Sequence, residues 1–254
     1  MMHIEALAER LDTAAISAHA IPQLSKELEL QLDDAYRIQA ASIDRRLSRG
    51  DRRVGTKMGF TSRAKMLQMG VSDMIWGRLT ISMMIEDGGS IRFTDFIHPR
   101  VEPEVAFLMR KPLAGKVSAL EASDAIEAVA CALEVIDSRY EDFKFSLPDV
   151  VADNASSSGF AVGPWCRPDT EIANLGMILS VNGRPQAFGS TAAILGNPLR
   201  ALVAAARFVA DAGERLEPGS IVMAGAATAA IAFTRDQHIG LEAEKLGRVQ
   251  FSVQ

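Results

Sequence analysis

The spacing of apolar residues changes near residue 54, and this change limits the folds open to the chain. Before residue 54 apolar residues recur every three or four positions, as on one face of a helix. After it they form short or alternating runs bounded by Gly, Pro, Asn and Asp, which is typical of strands. The runs are VGTKMGF, GSIRF, VEPEVAFLM, CALEVID, GFAVG, MILSVNG, QAFG and GSIVMAG. We therefore expect an α+β protein, with a small helical section at residues 1–53 and a mostly β body at residues 54–254.

Helical patterns are few and lie mainly in the first section. Ser25 is the predicted N-cap of an amphipathic helix of roughly 20 residues, and a shorter helix is predicted from Ile4 to Ala14. Gly50 ends this section. Within the β-rich body we predict helices at residues 119–129 and at residues 198–212, where apolar residues again recur at helical spacing.

Composition excludes several classes of function. A chain of 254 residues, 48% of them hydrophobic and 23% charged, is that of a globular protein with a full core. The net charge of -5 provides no broad basic surface for nucleic acid. The most apolar stretches, such as Ile221 to Phe233, are shorter than the about 20 residues that cross a bilayer. We expect neither nucleic-acid binding nor a membrane span.

The sequence also offers little support for three common kinds of site. Cys131 and Cys166, the only cysteines, lack metal-ligand spacing, and no signal peptide is recognisable, so we expect a cytoplasmic protein. Neither His98 nor His238 has the context of a serine–base–acid triad. The chain contains no GxGxxG after a strand and no GxxxxGK, the usual phosphate-binding loops of nucleotide cofactors.

Two glutamates of the segment RVEPEVAFLM are candidate metal ligands. Side chains alternate between the faces of a strand, so Glu102 and Glu104 share a face that continues into Ala106 and Leu108. Such a pair usually marks a solvated strand face, but the apolar continuation favours a pocket. Two carboxylates shielded from water need a cation or a shared proton.

Glu134 strengthens this interpretation because it lies in the apolar run ACALEVI, which indicates burial on both faces of its strand. A buried carboxylate without a partner costs several kcal/mol. Its partner could be Arg139 or a metal. Together with Glu102 and Glu104 it would form an oxygen-rich site suited to Mg²⁺ or Mn²⁺ rather than to zinc.

Lys57 and Asp73 are weaker candidates. Lys57 lies between glycines in VGTKMGFT, where a lone lysine is usually solvated. The functional alternatives are a cation for an anionic substrate, or an acid or base with a shifted pKa. Asp73, in MGVSDMIWG, is by itself more typical of a turn or a cap.

Two further segments have the composition of ligand-binding loops. The first, DNASSSG at residues 153–159, places three hydroxyls and several backbone N–H groups before an apolar strand, which can bind a carboxylate, although most such segments are ordinary loops. The second, PGSIVMAGAATAA, indicates a strand followed by a Gly/Ala turn. That turn allows either close approach of the backbone to a ligand or tight core packing.

Five motifs together resemble those of a known family. In chain order they are VGTKMGFTSRAKMLQMGVSDMIWGRL, HPRVEPEVAFLM, CALEVIDSRYEDFKF, DNASSSGFAVG and PGSIVMAGAATAAI. Over roughly residues 25 to 254 the chain is similar to the hydratase and decarboxylase branch of the fumarylacetoacetate hydrolase superfamily. The first motif is more similar to the decarboxylases of that branch.

This resemblance implies a catalytic body of the fumarylacetoacetase C-terminal type, residues 54–254. It implies a Mg²⁺ or Mn²⁺ ion on Glu102, Glu104 and Glu134, and an α-keto acid bound through its 1-carboxylate and 2-oxo group. Lys57 corresponds to the active-site lysine of the family, and Asp73 to an acidic residue of a neighbouring loop. The substrate-binding residues that it implies are Ser156, Ser157 or Ser158 for the carboxylate, and Thr228 in the pocket wall.

The reaction implied by the decarboxylases of this branch is loss of CO₂ from 2-oxohex-3-enedioate to give 2-oxopent-4-enoate, in meta-cleavage degradation of aromatic compounds. The departing carboxylate is attached beyond a double bond conjugated to the ketone, so a cation at the ketone acts as an electron sink. Lys57, Arg63 or Lys65 could contact that carboxylate. Holding it strongly would not raise kcat, because ground-state binding does not lower the barrier.

Three alternatives stay open at this point. The first is a hydratase that uses the same metal to add water to 2-oxopent-4-enoate, and the second is a Schiff-base mechanism at Lys57. The third is a non-catalytic paralogue that serves as the partner subunit of such a hydratase. The resemblance also implies a homo-oligomer and a complex with the hydratase, because the decarboxylated dienol is short-lived.

Overall fold

The computed structural model describes residues 4–62 and 73–254, and the candidates Arg63 and Lys65 lie outside these ranges. No helix in the described ranges combines the length and apolar character needed to cross a membrane. The helices of the described ranges are α1 (Ile4–Ser17), α2 (Leu32–Ser48), α3 (Ala119–Asp124), α4 (Leu147–Ala152) and α5 (Leu199–Asp211).

The strands that follow α2 form two sheets, and each of the runs identified in the sequence overlaps one of these strands. The strands found in the described residues are β1 (Arg53–Gly59), β2 (Ile75–Thr80), β3 (Met84–Ile85), β4 (Ser90–Ile91), β5 (Arg100–Met109), β6 (Ile126–Ile136), β7 (Ser157–Val162), β8 (Gly176–Val181), β9 (Arg184–Ser190), β10 (Ile221–Met223), β11 (Ile231–Ala232), β12 (His238–Ala243) and β13 (Gly247–Val253). One sheet has the order β2-β1-β10-β5-β6-β7-β3, with β11 also paired to β5, and the other has the order β4-β13-β12-β8-β9. The predicted α+β fold with a helical section before a mostly β body is confirmed.

Strand β5 lies near the middle of the larger sheet, and its two faces differ in chemistry. Val101, Val105 and Phe107 point into the main core, which they share with strands of the smaller sheet. The intervening residues, including Glu102 and Glu104, point to the opposite face. The alternation that was inferred from the sequence therefore separates the structural core from the carboxylates.

The helical section does not stand apart from the β body. Apolar residues of α1 and α2 pack with Ile75, Tyr140 and residues of α4 in one cluster. The buried Gln39 amide of α2 donates hydrogen bonds to the carbonyls of Trp76 and Val151. Residues 1–53 and residues 54–254 thus share a hydrophobic cluster. Their division into two domains stays a prediction.

The start of the long helix differs from the prediction. Helix α2 begins at Leu32, and the N-cap position is Gln31 rather than Ser25. The Ser25 hydroxyl and backbone N–H instead donate to the buried carboxylate of Asp149, at 2.5 and 2.9 Å. The hydroxyl therefore donates to a carboxylate that is remote in sequence, instead of accepting from the backbone N–H groups of a helix that follows it.

The prediction of a helix at residues 119–129 is only half right. Helix α3 has a capping box in which Ser118 and Glu121 bond to each other's backbone N–H groups, and it ends at Asp124. From Ile126 the chain continues as β6, because its apolar run pairs with β5 along almost its whole length. The short helix α4 was not predicted, although Ser146 and Asp149 form a second capping box there. The helix predicted at residues 198–212 is confirmed as α5.

Candidate active site

The register between β5 and β6 brings the three candidate glutamates together. Glu102 lies directly opposite Glu134 in the antiparallel pair, and Glu104 lies two residues further along β5, opposite Ala132. One oxygen from each of the three carboxylates lies within 4.8 Å of the others. All three side chains are buried. The arrangement is a cluster of oxygen donors that could hold a divalent cation.

Glu104 shows most clearly that this cluster needs positive charge. Its Oε2 accepts a 2.8 Å hydrogen bond from the backbone N–H of Gly225, whereas its Oε1 has no hydrogen-bond partner in the described residues. Burial, followed by the nearby charge of Glu134, raises the pKa of Glu104 well above its usual value. The carboxylate therefore requires either a proton or a cation.

The Gly/Ala turn after β10 approaches Glu104 closely. Gly225 has a φ of +101°, and a Cβ atom on it would lie 2.0 Å from Oγ1 of Thr61. Only glycine fits this backbone without strain or overlap. The sequence allowed either tight core packing or close approach to a ligand at this turn. The structure shows tight packing, and the turn also directs a backbone N–H group at the carboxylate cluster.

Lys57 is buried rather than solvated. It lies within β1, between β2 and β10, and only 3% of its surface is exposed. Its Nζ is 3.0 Å from Oε2 of Glu134 and donates to the carbonyl of Ala155 at 3.1 Å. Burial lowers the pKa of Lys57, but the charges of Glu134, Glu104 and Glu102 raise it by more, so the net shift is upward. The cluster thus favours the ammonium form.

The partner of Glu134 differs from the one suggested by the sequence. Arg139 forms a buried ion pair with Asp153 and does not contact Glu134. Glu134 instead has Lys57 beside one oxygen, and its other oxygen accepts a 2.9 Å hydrogen bond from the hydroxyl of Ser157. Residues 57 and 134 are far apart in sequence, so local patterns could not predict this pair.

The segment before β7 has a strained backbone that shapes the site. Asn154, Ala155 and Ser156 have φ values of 51°, 52° and 58°, in the left-handed region. This conformation costs about 1–2 kcal/mol per residue without glycine. The Asn154 side chain supports it by bonding both backbone groups of Arg78, at 2.7 and 2.9 Å. The turn aims the Ala155 carbonyl at Lys57.

The three serines of DNASSSG have different surroundings. The Ser156 hydroxyl is buried beside a cavity that Lys57 and Glu102 also line, and it has no hydrogen-bond partner in the described ranges. Ser157 bonds to Glu134. Ser158 accepts a 2.5 Å hydrogen bond from Arg139 and lines a separate groove. Of the three, Ser156 is the one whose hydroxyl is available to a ligand.

A cavity of about 460 Å³ borders the cluster. Lys57 and Glu102 form part of its wall, so the glutamate cluster is accessible from it. Apolar and aromatic side chains cover much of the remainder. They include Phe60, Ile75, Ile136, Phe143, Phe145, Val150, Ala226, Ala229 and Ala230.

Asp73 and Thr228 have partners other than the carboxylates of the cluster. Asp73 is exposed, accepts a 2.8 Å bond from its neighbour's N–H, and pairs with Arg207 at 3.1 Å. The Thr228 hydroxyl donates to the carbonyl of Ala229, and its methyl group faces Gly189. Neither side chain lines the cavity. Their functional roles stay predictions.

Arg100 and Phe143 line the cavity and were not among the predicted site residues. The signal for Arg100 was present in the sequence, since the alternation that places Glu102 and Glu104 on one face of β5 also places Arg100 there. Phe143 lies in an irregular segment with no periodic pattern. Its place in the cavity depends on tertiary structure alone.

Comparison with known proteins defines the class to which this fold and site belong. Residues 55–254 match the family model described as fumarylacetoacetate (FAA) hydrolase C-terminal. The chain belongs to this family, as the five motifs indicated.

Within this family the chain is similar to decarboxylases and to hydratases. The chain is 57% identical, over 99% of its length and 98% of the relative's, to a 4-oxalocrotonate decarboxylase of a Pseudomonas species. It is 36% identical to a 2-keto-4-pentenoate hydratase of Paraburkholderia xenovorans, over 78% of this chain and 75% of that one. It superimposes with a TM-score of 0.96 on the 4-oxalocrotonate decarboxylase from Pseudomonas putida G7 complexed with magnesium and adipate. That structure is 36% identical and covers 99% of this chain and 97% of its own.

Proposed function

We propose that this chain is a metal-dependent carboxy-lyase that converts 4-oxalocrotonate (2-oxohex-3-enedioate) to 2-oxopent-4-enoate and CO₂ in the meta-cleavage degradation of aromatic compounds. The observation that carries the proposal is the buried cluster of Glu102, Glu104 and Glu134 beside a cavity. It occurs in a chain that is 57% identical over 99% of its length to a 4-oxalocrotonate decarboxylase.

The cluster fits a Mg²⁺ or Mn²⁺ ion held by Glu102, Glu104 and Glu134. All three donors are carboxylate oxygens, which hard divalent cations prefer, and Glu104 has an oxygen without a hydrogen-bond partner in the described residues. One oxygen from each carboxylate lies within 4.8 Å of the other two, so the three side chains would together hold a single ion.

The residues around the cluster have separate roles in the reaction. When bound, the cation would polarise the 2-oxo group and accept the negative charge that develops as CO₂ leaves. Lys57 keeps a fixed positive charge beside Glu134 and faces the cavity. The Ser156 hydroxyl donates a hydrogen bond to the 1-carboxylate of the substrate. The apolar wall excludes water and so strengthens these electrostatic interactions.

The Schiff-base alternative at Lys57 has less support. A Schiff base requires the neutral amine as nucleophile. Lys57 lies 3.0 Å from a Glu134 oxygen and donates a hydrogen bond to Ala155, contacts that favour the ammonium form. Failure of borohydride to trap a substrate adduct is therefore the expected result.

The hydratase is the second candidate, because 36% identity links the chain to a 2-keto-4-pentenoate hydratase. The higher identity and fuller coverage of the decarboxylase favour decarboxylation. The test is to supply the Mg²⁺-loaded protein separately with 2-oxohex-3-enedioate and with 2-oxopent-4-enoate. We expect CO₂ release from the first and little hydration of the second. Hydration of the second without CO₂ release from the first would instead establish a hydratase.

We also propose a cytoplasmic location, a homo-oligomer and a complex with the hydratase that consumes the product. Support for the complex is chemical, since the dienol formed by decarboxylation is short-lived and benefits from direct transfer. Native mass measurement with and without a purified hydratase tests both assemblies. A non-catalytic partner subunit would assemble with the hydratase but release no CO₂ from the diacid.

A further inference from the structure

We propose that Arg100 binds the carboxylate of the substrate that is remote from the keto acid, and so makes the cavity select a six-carbon diacid over its monoacid product. This inference rests on the proposed function, because that function places the keto-acid end of the substrate at the glutamate cluster. It adds a specificity-determining residue that neither the motifs nor the glutamate cluster identifies.

The position of Arg100 in the sheet matches the length of the substrate. Arg100 precedes Glu102 by two residues on β5, so the two side chains share a face and their Cα atoms are about 7 Å apart. The terminal carbons of an extended six-carbon diacid are roughly 6 Å apart, from five bonds of about 1.5 Å. A substrate whose keto-acid end is at Glu102 therefore extends to Arg100.

The backbone of Arg100 is fixed on both sides. It pairs with Ile136 of β6 and with Ala232 of β11, so the arginine extends from an interior position of the sheet rather than from a loop. Ile136 and Arg100 both line the cavity, and they form the strand pair two residues away from the Glu102–Glu134 pair. The guanidinium group therefore has a defined place at the outer part of the cavity.

An aromatic surface orients the guanidinium group. Its central carbon lies 4.2 Å from the centre of the Phe143 ring, a cation–π contact that covers one face of the group and leaves its N–H edge accessible. The Phe143 ring is itself packed between His98 and Phe145, at 5.1 and 5.8 Å. In the described residues, no carboxylate forms an ion pair with Arg100, so its donors are available to a ligand.

The other cations of the described cavity wall are less suitable. Lys57 is at the deep end and is held by Glu134 and Ala155. Lys144 is 72% exposed and pairs with Asp142 at 3.3 Å. Arg100 is the half-buried cation among them that an aromatic ring holds in place, and a planar guanidinium suits a carboxylate through paired hydrogen bonds.

The contact should affect binding more than chemistry. The remote carboxylate is the group that leaves, so a bond to it stabilises the bound substrate without lowering the barrier to its loss. Once CO₂ has departed, the product no longer makes this contact and is bound more weakly. Arg100 thus favours diacid entry and monoacid release.

The experiment compares Arg100→Gln with Arg110→Gln, a matched change at the residue that follows the other end of the same strand, where Arg110 pairs with Asp124 at the surface. Calorimetry on Mg²⁺-loaded protein measures the affinity for adipate, a six-carbon diacid, and for hexanoate, a monoacid of equal length. We expect Arg100→Gln to weaken adipate binding by about 10-fold or more, with hexanoate binding changed less than about 2-fold. Arg100→Lys should restore part of the difference, and Arg110→Gln should match the wild type.

Steady-state kinetics provide the second readout. For 2-oxohex-3-enedioate, Arg100→Gln should raise KM by about 10-fold and change kcat by less than about 3-fold. Unchanged adipate binding in Arg100→Gln, or equal losses for adipate and hexanoate, would overturn the assignment. Failure of the wild type both to bind adipate and to release CO₂ would refute the proposed function, and this inference with it. If the wild type is active and Arg100→Gln leaves both the adipate affinity and the KM unchanged, only the role of Arg100 would be refuted.

Discussion

Single atoms decide the chemistry of this site. At Glu104 one carboxylate oxygen is bonded to the Gly225 N–H, and the other has no hydrogen-bond partner within the described ranges. At Ser156 the hydroxyl is buried beside the cavity and likewise lacks a partner in the part of the chain that is described. The unpartnered carboxylate oxygen of Glu104 suits a cation, and the unpartnered hydroxyl of Ser156 suits an anionic substrate.

The serines allow a direct test at this scale. If the Ser156 hydroxyl binds the substrate carboxylate, Ser156→Ala should raise KM by about 10-fold, the usual loss for one hydrogen bond to a charged group. Ser158→Ala is the matched control, since the Ser158 hydroxyl accepts a hydrogen bond from Arg139 and lines a different groove. The KM of the Ser158→Ala variant should stay near the wild-type value. Steady-state kinetics on the diacid make the comparison. Equal KM values for Ser156→Ala and the wild type would contradict the assignment.

Residue-level predictions from sequence succeeded where a local pattern carried the information. Alternation along one strand placed Glu102 and Glu104 on one face, and the apolar run around Glu134 predicted its burial. The pairing of Lys57 with Glu134 was not predictable, because it depends on how β1, β10, β5 and β6 lie side by side. Neither Asp73 nor Thr228 lines the cavity, and the roles that the motifs imply for them stay predictions.

At the scale of elements, the site depends on one register and two unusual turns. The β5–β6 register sets Glu102 opposite Glu134, and a shift by one residue would move one glutamate to the core face. The left-handed turn at Asn154 to Ser156 places the carbonyl that binds Lys57 and the hydroxyl that faces the cavity. The turn at Gly225 supplies the N–H that binds Glu104.

The Gly225 turn can be tested by adding a single methyl group. Gly225→Ala would place a Cβ 2.0 Å from Thr61 Oγ1 at a φ of +101°. We expect a loss of roughly 3 kcal/mol in the free energy of unfolding and weaker Mg²⁺ binding, because the N–H moves away from Glu104. Gly240→Ala is the control, since a Cβ there meets nothing within 4 Å.

Urea unfolding without metal and a Mg²⁺ titration measure the two effects. The Gly240→Ala variant should unfold within about 1 kcal/mol of the wild type and bind Mg²⁺ normally. A Gly225→Ala protein as stable as the control, with unaltered Mg²⁺ affinity, would show that the turn does not position Glu104.

The sequence predicted whether a segment is a helix or a strand better than it predicted the residues at which the segment begins and ends. Strands bounded by Gly, Pro or Asn were identified closely, because their ends are marked by turn residues. The end of α3 was placed too late, because the residues after Asp124 have apolar spacing compatible with helix or strand and tertiary pairing with β5 decides between them. The N-cap assigned to Ser25 failed for a similar reason, since its partner Asp149 is remote in sequence.

At the scale of the whole molecule, two sheets and the N-terminal helices together hold a polar site inside an apolar protein. The core between the sheets fixes β5 through Val101, Val105 and Phe107. Helices α1 and α2 pack beside α4, the element that leads directly into the left-handed turn. Charged groups can remain buried in the cavity because their supports are rigid and because the cluster is completed by a cation.

The most direct test of the central claim is CO₂ release from 2-oxohex-3-enedioate by protein loaded with Mg²⁺, then chelated, then reloaded. We expect release with Mg²⁺, loss of activity after chelation and recovery on reloading. Glu104→Gln, which keeps the shape of the side chain, should lower the rate of CO₂ release in the presence of Mg²⁺ by more than about 100-fold, since even indirect supports of a metal site are worth 10–100-fold. An undiminished rate of CO₂ release from the chelated protein would contradict the account.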